Sequence, residues 1–269
     1  MSVDRIDESS RKRRDDHVAV EEPLEIRLDG KSVAVVMRSP GNDEELAAGF
    51  LYTEGIIKES HELSTVVLKQ DEKNPALANV VEVTTVAGID LTKRGWQRNF
   101  VSASSCGLCG KLTIESVRLH VPSVRDDPLQ VSPELIRGLP SKMRSGQAGF
   151  DETGGLHAAG LFDRRGELLT LREDIGRHNA VDKVVGAALL SDDVPLRGHV
   201  LMVSGRASFE IAQKALMARV PIVAAVSAAS SLAVELADSC GMALVGFLRG
   251  SSLNVYAGSH RITEKGNSL

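Results

Sequence analysis

The sequence has 269 residues, of which 42% are apolar, 25% charged and 3% aromatic, and its formal net charge is -4. This composition is typical of a globular protein with an aliphatic core, and the charge argues against general nucleic-acid binding. No signal peptide is visible, and no apolar run approaches the length of about 18 residues that a membrane span needs. Three cysteines, an odd number, argue against a disulfide scaffold. We therefore expect a cytoplasmic protein that does not engage a membrane.

The N-terminal part is predicted to be strand-rich with one helix. Residues 1–18 are charged and poor in apolar side chains, so we expect a flexible tail. Strands are predicted where apolar residues alternate or cluster, at residues 24–28, 32–37, 66–68 and 80–85. Asp29-Gly30 is typical of a hairpin turn. A helix is expected from Asp43 to about Tyr52, with Asn42 as its N-cap.

Strands and helices alternate in the rest of the chain. Ser132-Pro133-Glu134 indicates a helix start. Strands are predicted at residues 158–162, 167–171, 200–203, 222–226 and 243–248. A helix with one buried face is predicted at residues 181–188, and further helices are predicted at residues 208–219 and 231–239. This order predicts βαβ units in a sheet covered by helices on both faces, and hence the α/β fold class.

Four prolines between residues 122 and 140 indicate a connection between two domains. We expect a smaller α+β domain at residues 19–125 and a larger α/β domain at residues 126–262. Residues 263–269 are expected to form a second tail.

The most specific chemical signal is Cys106-Gly107-Leu108-Cys109, followed by Gly110 and Lys111. Glycine after each cysteine permits a tight loop, and a neighbouring cation favours the reactive thiolate. A zinc site would normally show further Cys or His ligands nearby, and none is present. Zinc binding, dithiol redox chemistry, a structural pair and sulfur transfer remain open on these residues alone. Cys240 is interpreted as a small buried residue at a helix end.

A second candidate site lies in the loops that follow three predicted strands. These loops are Ser204-Gly205-Arg206, Ser227 with Ser230-Ser231, and Arg249-Gly250-Ser251-Ser252. Ligands of open α/β sheets bind beyond the carboxyl ends of strands, where small residues admit the ligand and arginine pairs with phosphate. An anionic, nucleotide-like ligand is therefore expected, although the usual ATP and NAD motifs are absent. His157 and His178 are added as candidates, each with buried structural histidine as the alternative.

The chain resembles the formate dehydrogenase accessory sulfurtransferases, the FdhD family, from about Val18 to Ile262. The matching motifs are Glu22-Pro23-Leu24, residues 38–51 (RSPGNDEELAAGFL), Ser105-Cys106-Gly107-Leu108-Cys109-Gly110, Gly154-Gly155-Leu156-His157-Ala158-Ala159, residues 173–183 (EDIGRHNAVDK), Ser204-Gly205-Arg206-Ala207-Ser208, and Arg249-Gly250. So many motifs in one order are far more specific than a single Cys-x-x-Cys pair.

The resemblance implies a cytidine-deaminase-like C-terminal half without the zinc site, and no tightly bound metal of its own. It implies that a cysteine desulfurase loads Cys106 with a persulfide. That sulfur then passes to the molybdenum of a bis(molybdopterin guanine dinucleotide) cofactor, for insertion into formate dehydrogenase. It also implies a homodimer. The family's cofactor-binding segment maps onto Phe247-Leu248-Arg249-Gly250-Ser251-Ser252.

Several points stay open at this stage. Cys109 can receive the sulfur, release it or only shape the loop. The protein can also be a non-enzymatic chaperone of the cofactor, in which the cysteines only grip it, or a metal-dependent hydrolase related to the deaminases. Persulfide loading on Cys106 would distinguish a sulfur carrier from a chaperone, because a pure chaperone needs none. Stoichiometric zinc in the purified protein would favour the metal-dependent hydrolase.

Overall fold

The computed structural model describes residues 1–69, 79–89 and 121–264. Its strands are β1 (Ser2–Ile6), β2 (Arg11–Asp15), β3 (Glu22–Leu28), β4 (Lys31–Arg38), β5 (Leu63–Lys69), β6 (Val80–Thr85), β7 (His157–Phe162), β8 (Leu168–Asp174), β9 (Val200–Val203), β10 (Ile222–Ala225), β11 (Ala243–Arg249) and β12 (Ser252–Ala257). Its α-helices are α1 (Asp43–Thr53), α2 (Pro133–Arg144), α3 (Ala148–Thr153), α4 (Arg177–Leu190), α5 (Phe209–Met217) and α6 (Ser231–Cys240). Short 3₁₀ turns occur at Ser60–Glu62 and Ser259–Arg261.

The N-terminal segment differs from the tail expected there. Strands β1 and β2 pair antiparallel as a separate two-stranded sheet, and nearly every residue in them is exposed. Arg11 hydrogen-bonds Asp4 across the pair through two guanidinium nitrogens. Opposite charges therefore replace the apolar alternation that sequence analysis uses to detect strands.

A four-stranded sheet follows, in the order β4-β3-β6-β5. The predicted hairpin is confirmed: Asp29 and Gly30 both have positive φ, 49° and 76°, as a two-residue turn of this kind requires. The predicted helix is confirmed as α1, and Asn42 occupies its N-cap position as predicted. Its side chain, however, makes no capping hydrogen bond, because the backbone of Asn42 is left-handed with a φ of 56°. An N-cap side chain acts from an extended backbone instead.

The second half forms a six-stranded sheet in the order β8-β7-β9-β10-β11-β12. Strands β9, β10 and β11 run parallel through α5 and α6, which confirms the predicted βαβ units. Strands β7, β8 and β12 pair antiparallel to their neighbours. The α/β class is thus confirmed, and the likeness to cytidine deaminases stays a prediction.

Apolar side chains leave this sheet on both faces. One face packs with α4, α5 and α6 into a core that also contains the buried residues of β3, β6 and α1. The other face packs against Ile136, Leu139 and Met143 of α2. Helices on both faces are what the uninterrupted apolar strands predicted.

Helix α1 connects the smaller sheet to this core by packing against α4. Cys240 ends α6 and is 8% exposed, as interpreted from the sequence. Among the described helices, none combines the length and apolar character of a membrane span.

Candidate ligand site at the edge of the large sheet

The three loops chosen from the sequence lie side by side at the carboxyl ends of β9, β10 and β11. The backbone N–H of Ser227 donates to the carbonyl of Gly205 at 3.2 Å. The N–H of Phe247 in turn donates to the carbonyl of Ser227 at 3.0 Å. Arg249 donates from Nε to the carbonyl of Val226 at 3.3 Å. Backbone hydrogen bonds therefore join the loops into one continuous rim.

His157 and Ser204 meet at this rim because β7 runs antiparallel to β9. Ser204 exchanges two hydrogen bonds with Ala158, one from its own N–H and one to its hydroxyl, both at 2.9 Å. A Cβ atom at Gly205 would lie 3.5 Å from Nδ1 of His157, so the imidazole lies directly beside that glycine. His157, Ser204 and Gly205 therefore lie together at the rim.

The imidazole of His157 is half-buried and is expected to be neutral near pH 7. Burial lowers its pKa from the ordinary value of 6.5, and the neighbouring Arg177 and His178 lower it further. The carboxylate of Asp174 opposes this shift without reversing it. A neutral imidazole offers one hydrogen-bond donor and one acceptor to a ligand.

His178 lies in the first turn of α4, is 4% exposed, and faces the first turn of α5. Its Nε2 lies 3.4 Å from the Ser208 hydroxyl and 3.6 Å from a carboxylate oxygen of Glu210. Burial tends to raise the pKa of Glu210, but hydrogen bonds from His178, its own backbone and Ser208 outweigh burial and lower the pKa to about 2. Glu210, which the sequence analysis missed, thus keeps a negative charge behind the rim.

Two arginines bring positive charge to the same place. Arg206 is exposed in the loop after β9. Arg177 opens α4, and its Nε atom is buried without a hydrogen-bond partner among the described residues. Buried donors are normally paired, so this Nε is available to a water or a ligand at the rim. Arg177 was not selected from the sequence, although it precedes His178 directly.

The turn between β11 and β12 carries the predicted cofactor segment. Phe247 is 41% exposed and has a φ of 50°, a strained value for a residue other than glycine. Leu248 points into the core at 2% exposure, so it can offer a ligand only its backbone. Arg249, Gly250, Ser251 and Ser252 are exposed. The segment therefore presents an aromatic ring, a cation and small residues.

A cavity of about 520 Å³ lies between the rim and helices α2 and α3. His157 and Ser204 line it from the rim, and Met143, Gln147 and Phe150 line it from the helices. The residues of this helical wall form no chemical motif, so the sequence did not predict them as part of the site.

The predicted catalytic residues Cys106 and Cys109 lie outside the described residues, so their positions relative to the rim stay a prediction. Within the described ranges, no group of three or more His, Cys, Asp or Glu side chains could hold a metal ion.

Comparison with known proteins identifies the family. The model of the FdhD/NarQ family matches residues 19–263. The chain belongs to the FdhD/NarQ family. It is similar to the sulfur carrier protein FdhD of Streptomyces avermitilis, with 53% identity covering 97% of this chain and 94% of the relative. It is also similar to that of Saccharolobus solfataricus, with 43% identity covering 96% and 95%.

A solved structure of similar fold is a crystal structure from Desulfotalea psychrophila, described as a formate dehydrogenase accessory protein. It superposes with a TM-score of 0.77 at 24% identity and covers 98% of both chains. At this identity the likeness is evidence for the fold alone. The FdhD/NarQ relatives establish that this chain belongs to a family of sulfur carriers.

Proposed function

We propose that this FdhD/NarQ protein accepts sulfane sulfur from a cysteine desulfurase as a persulfide on Cys106. It then delivers that sulfur to the molybdenum of a bis(molybdopterin guanine dinucleotide) cofactor for formate dehydrogenase. The observation that carries this proposal is the likeness to sulfur carrier proteins over nearly the whole chain, together with the Cys106-Gly107-Leu108-Cys109 motif.

The loading step is thiol–persulfide exchange. The thiolate of Cys106 attacks the terminal sulfur of the donor's persulfide, a new S–S bond forms on Cys106, and the donor cysteine leaves as a thiolate. No external oxidant or reductant is needed, because the sulfane sulfur moves at constant oxidation level. Lys111 favours the attacking thiolate by its positive charge.

Delivery as sulfide requires two electrons for each sulfane sulfur. Cys109 can supply them: its thiolate attacks the inner sulfur of the Cys106 persulfide, a Cys106–Cys109 disulfide forms, and hydrosulfide leaves. This chemistry gives the second cysteine a role in release. A two-electron thiol reductant then regenerates the dithiol.

The rim is proposed to hold the anionic cofactor. Support comes from the exposed Arg206 and Arg249, the unpaired buried Nε of Arg177, and the small residues of the joined loops. Arginine pairs with phosphate oxygens through parallel hydrogen bonds, and glycine permits close approach of the backbone.

A single-turnover transfer tests this proposal. The protein is loaded with radiolabelled sulfur by a cysteine desulfurase, separated from it, and mixed with the isolated molybdenum cofactor. We expect the label to move from protein to cofactor in the wild type and not in Cys106→Ala. Cofactor binding without any label transfer would instead support the non-enzymatic chaperone.

A further inference from the structure

Gln147 is a polar residue in the wall of this cavity. It is 5% exposed and lines the cavity beside the rim. Its side-chain amide makes no hydrogen bond to any of the described residues, although a glutamine amide carries two donors and an acceptor. Its amide atoms keep some contact with solvent, so they can bind a ligand in the cavity without breaking a hydrogen bond within the protein.

The local structure leaves this amide available. Gln147 occupies the N-cap position of α3, yet its side chain does not cap that helix. The carboxylate of Glu173 does so instead, accepting hydrogen bonds at 2.8 Å from the N–H groups of Gly149 and Phe150. Backbone hydrogen bonds hold Gln147 on both sides, from its N–H to the Arg144 carbonyl and from the Asp151 N–H to its own carbonyl.

The rest of the cavity suits a flat ring. Its volume of about 520 Å³ lies within the range of about 300–1,000 Å³ that is typical of small-molecule sites. Met143, Phe150, Leu156 and Val226 supply apolar walls. Beyond them lie the neutral imidazole of His157 and the arginines of the rim. Because apolar side chains would contact the faces of such a ring, only its edge could form hydrogen bonds.

We propose that Gln147 hydrogen-bonds the edge of an aminopyrimidinone ring bound in this cavity. The primary amide of glutamine and the ring amide of such a heterocycle can exchange two hydrogen bonds, with each group donating once and accepting once. Guanine and pterin share this edge, and the cofactor of the proposed function contains both. The inference therefore rests on the proposed function and assigns to it a specificity-determining residue.

Binding titrations of the full-length protein test this assignment. The probes are guanosine diphosphate, free pterin, and purine riboside diphosphate, which lacks the oxo and amino groups of guanine. Wild type is compared with Gln147→Leu, which keeps the size of the side chain and removes its polar atoms. Gln213→Leu is the matched control, because Gln213 is also buried, at 4% exposure, with an unpartnered amide nitrogen, but does not line the cavity.

We expect Gln147→Leu to weaken binding of guanosine diphosphate or of pterin by about tenfold or more, because one or two hydrogen bonds are lost. Whichever probe is weakened identifies the ring. The affinity for purine riboside diphosphate should not change, nor should any affinity in Gln213→Leu. The thermal midpoint of ligand-free Gln147→Leu should stay close to that of the wild type, since its side chain makes no hydrogen bond to the described residues that the substitution would remove.

Unchanged binding of both rings in Gln147→Leu would overturn the assignment and leave the sulfur carrier function intact. Equal weakening of all three probes would also overturn it, because the effect would not depend on the ring edge. Failure of the wild type to bind either ring would remove both the assignment and the proposed cofactor rim.

Discussion

Gly49 and Gly186 face each other where α1 crosses α4. A methyl group at Gly49 would overlap the backbone carbonyl of Asp182, and one at Gly186 would overlap that of Glu45. The two helices are therefore in backbone contact. This contact attaches the four-stranded sheet to the helix whose first turn carries Arg177 and His178.

Gly186→Ala is expected to lower the free energy of unfolding by at least about 2 kcal/mol, because backbone atoms of the facing helix cannot move aside cheaply. Gly138→Ala in α2 is the control. A Cβ there would meet no atom within 4 Å. That substitution should be neutral or stabilising by about 0.5–1 kcal/mol, as alanine favours the helix. Chemical denaturation measures both, and equal effects of the two substitutions would contradict the contact.

A buried ion pair strengthens the same helix assembly. Nζ of Lys214 lies 2.9 Å from the carboxylate of Asp182, and their side chains are 6% and 2% exposed. Burial alone would lower the pKa of Lys214, but Asp182 and Glu54 more than offset it and raise the pKa. Lys214→Met should cost about 3–5 kcal/mol, because Asp182 is left charged and buried. Adding Asp182→Leu should recover much of that loss. A double variant no more stable than Lys214→Met would argue against the pair.

The contact between His178 and Glu210 predicts a pH dependence of stability. The pKa of Glu210 is depressed from its ordinary value of 4.5 to about 2, so its contribution to stability is present above pH 4.5 and is lost as the pH falls towards 2. The free energy of unfolding of Glu210→Gln should therefore differ most from that of wild type above pH 4.5. The two values should converge as the pH falls towards 2. Denaturation across this range measures the difference. The exposed Glu235→Gln is the control and should show little difference at any pH.

Arg206 is predicted to contact ligand phosphates. It is exposed at the rim and forms no ion pair with the described residues. Arg206→Ala should weaken binding of guanosine diphosphate by about tenfold and reduce the salt dependence of that binding. Arg165→Ala is the control, because this exposed arginine lies in the turn at the opposite end of β7 from His157. Equal effects of the two substitutions would show only a general effect of net charge.

The sequence predicted those parts of the fold that depend on local apolar periodicity. The alternation at Leu24, Ile26 and Leu28 and the pattern beginning at Val181 both gave the observed element, because each buries one face. The exposed β1–β2 hairpin was missed because its stability depends on ion pairs, and the short helix α3 was missed because six residues give no period. Asn42 takes the predicted N-cap position, but its side chain does not cap the helix because the residue adopts a left-handed backbone.

The candidate site was predictable where it follows strand ends and hidden where it depends on tertiary contacts. The rim loops were found because parallel strands end at one edge of a sheet. Gln147 was not found, because its significance depends on Glu173, 26 positions later in the chain, taking over the cap of α3. Glu210 was missed for the same reason, since only the fold brings it to His178.

Sulfur loading on Cys106 is tested most directly by the mass of the intact protein after incubation with a cysteine desulfurase and cysteine. Wild type should gain about 32 Da per sulfur atom, and a thiol reductant should remove the gain. Cys106→Ala should gain nothing, whereas Cys109→Ala should load but fail to release hydrosulfide. No gain in wild type, with the desulfurase active on another acceptor, would contradict the persulfide and favour a cofactor chaperone.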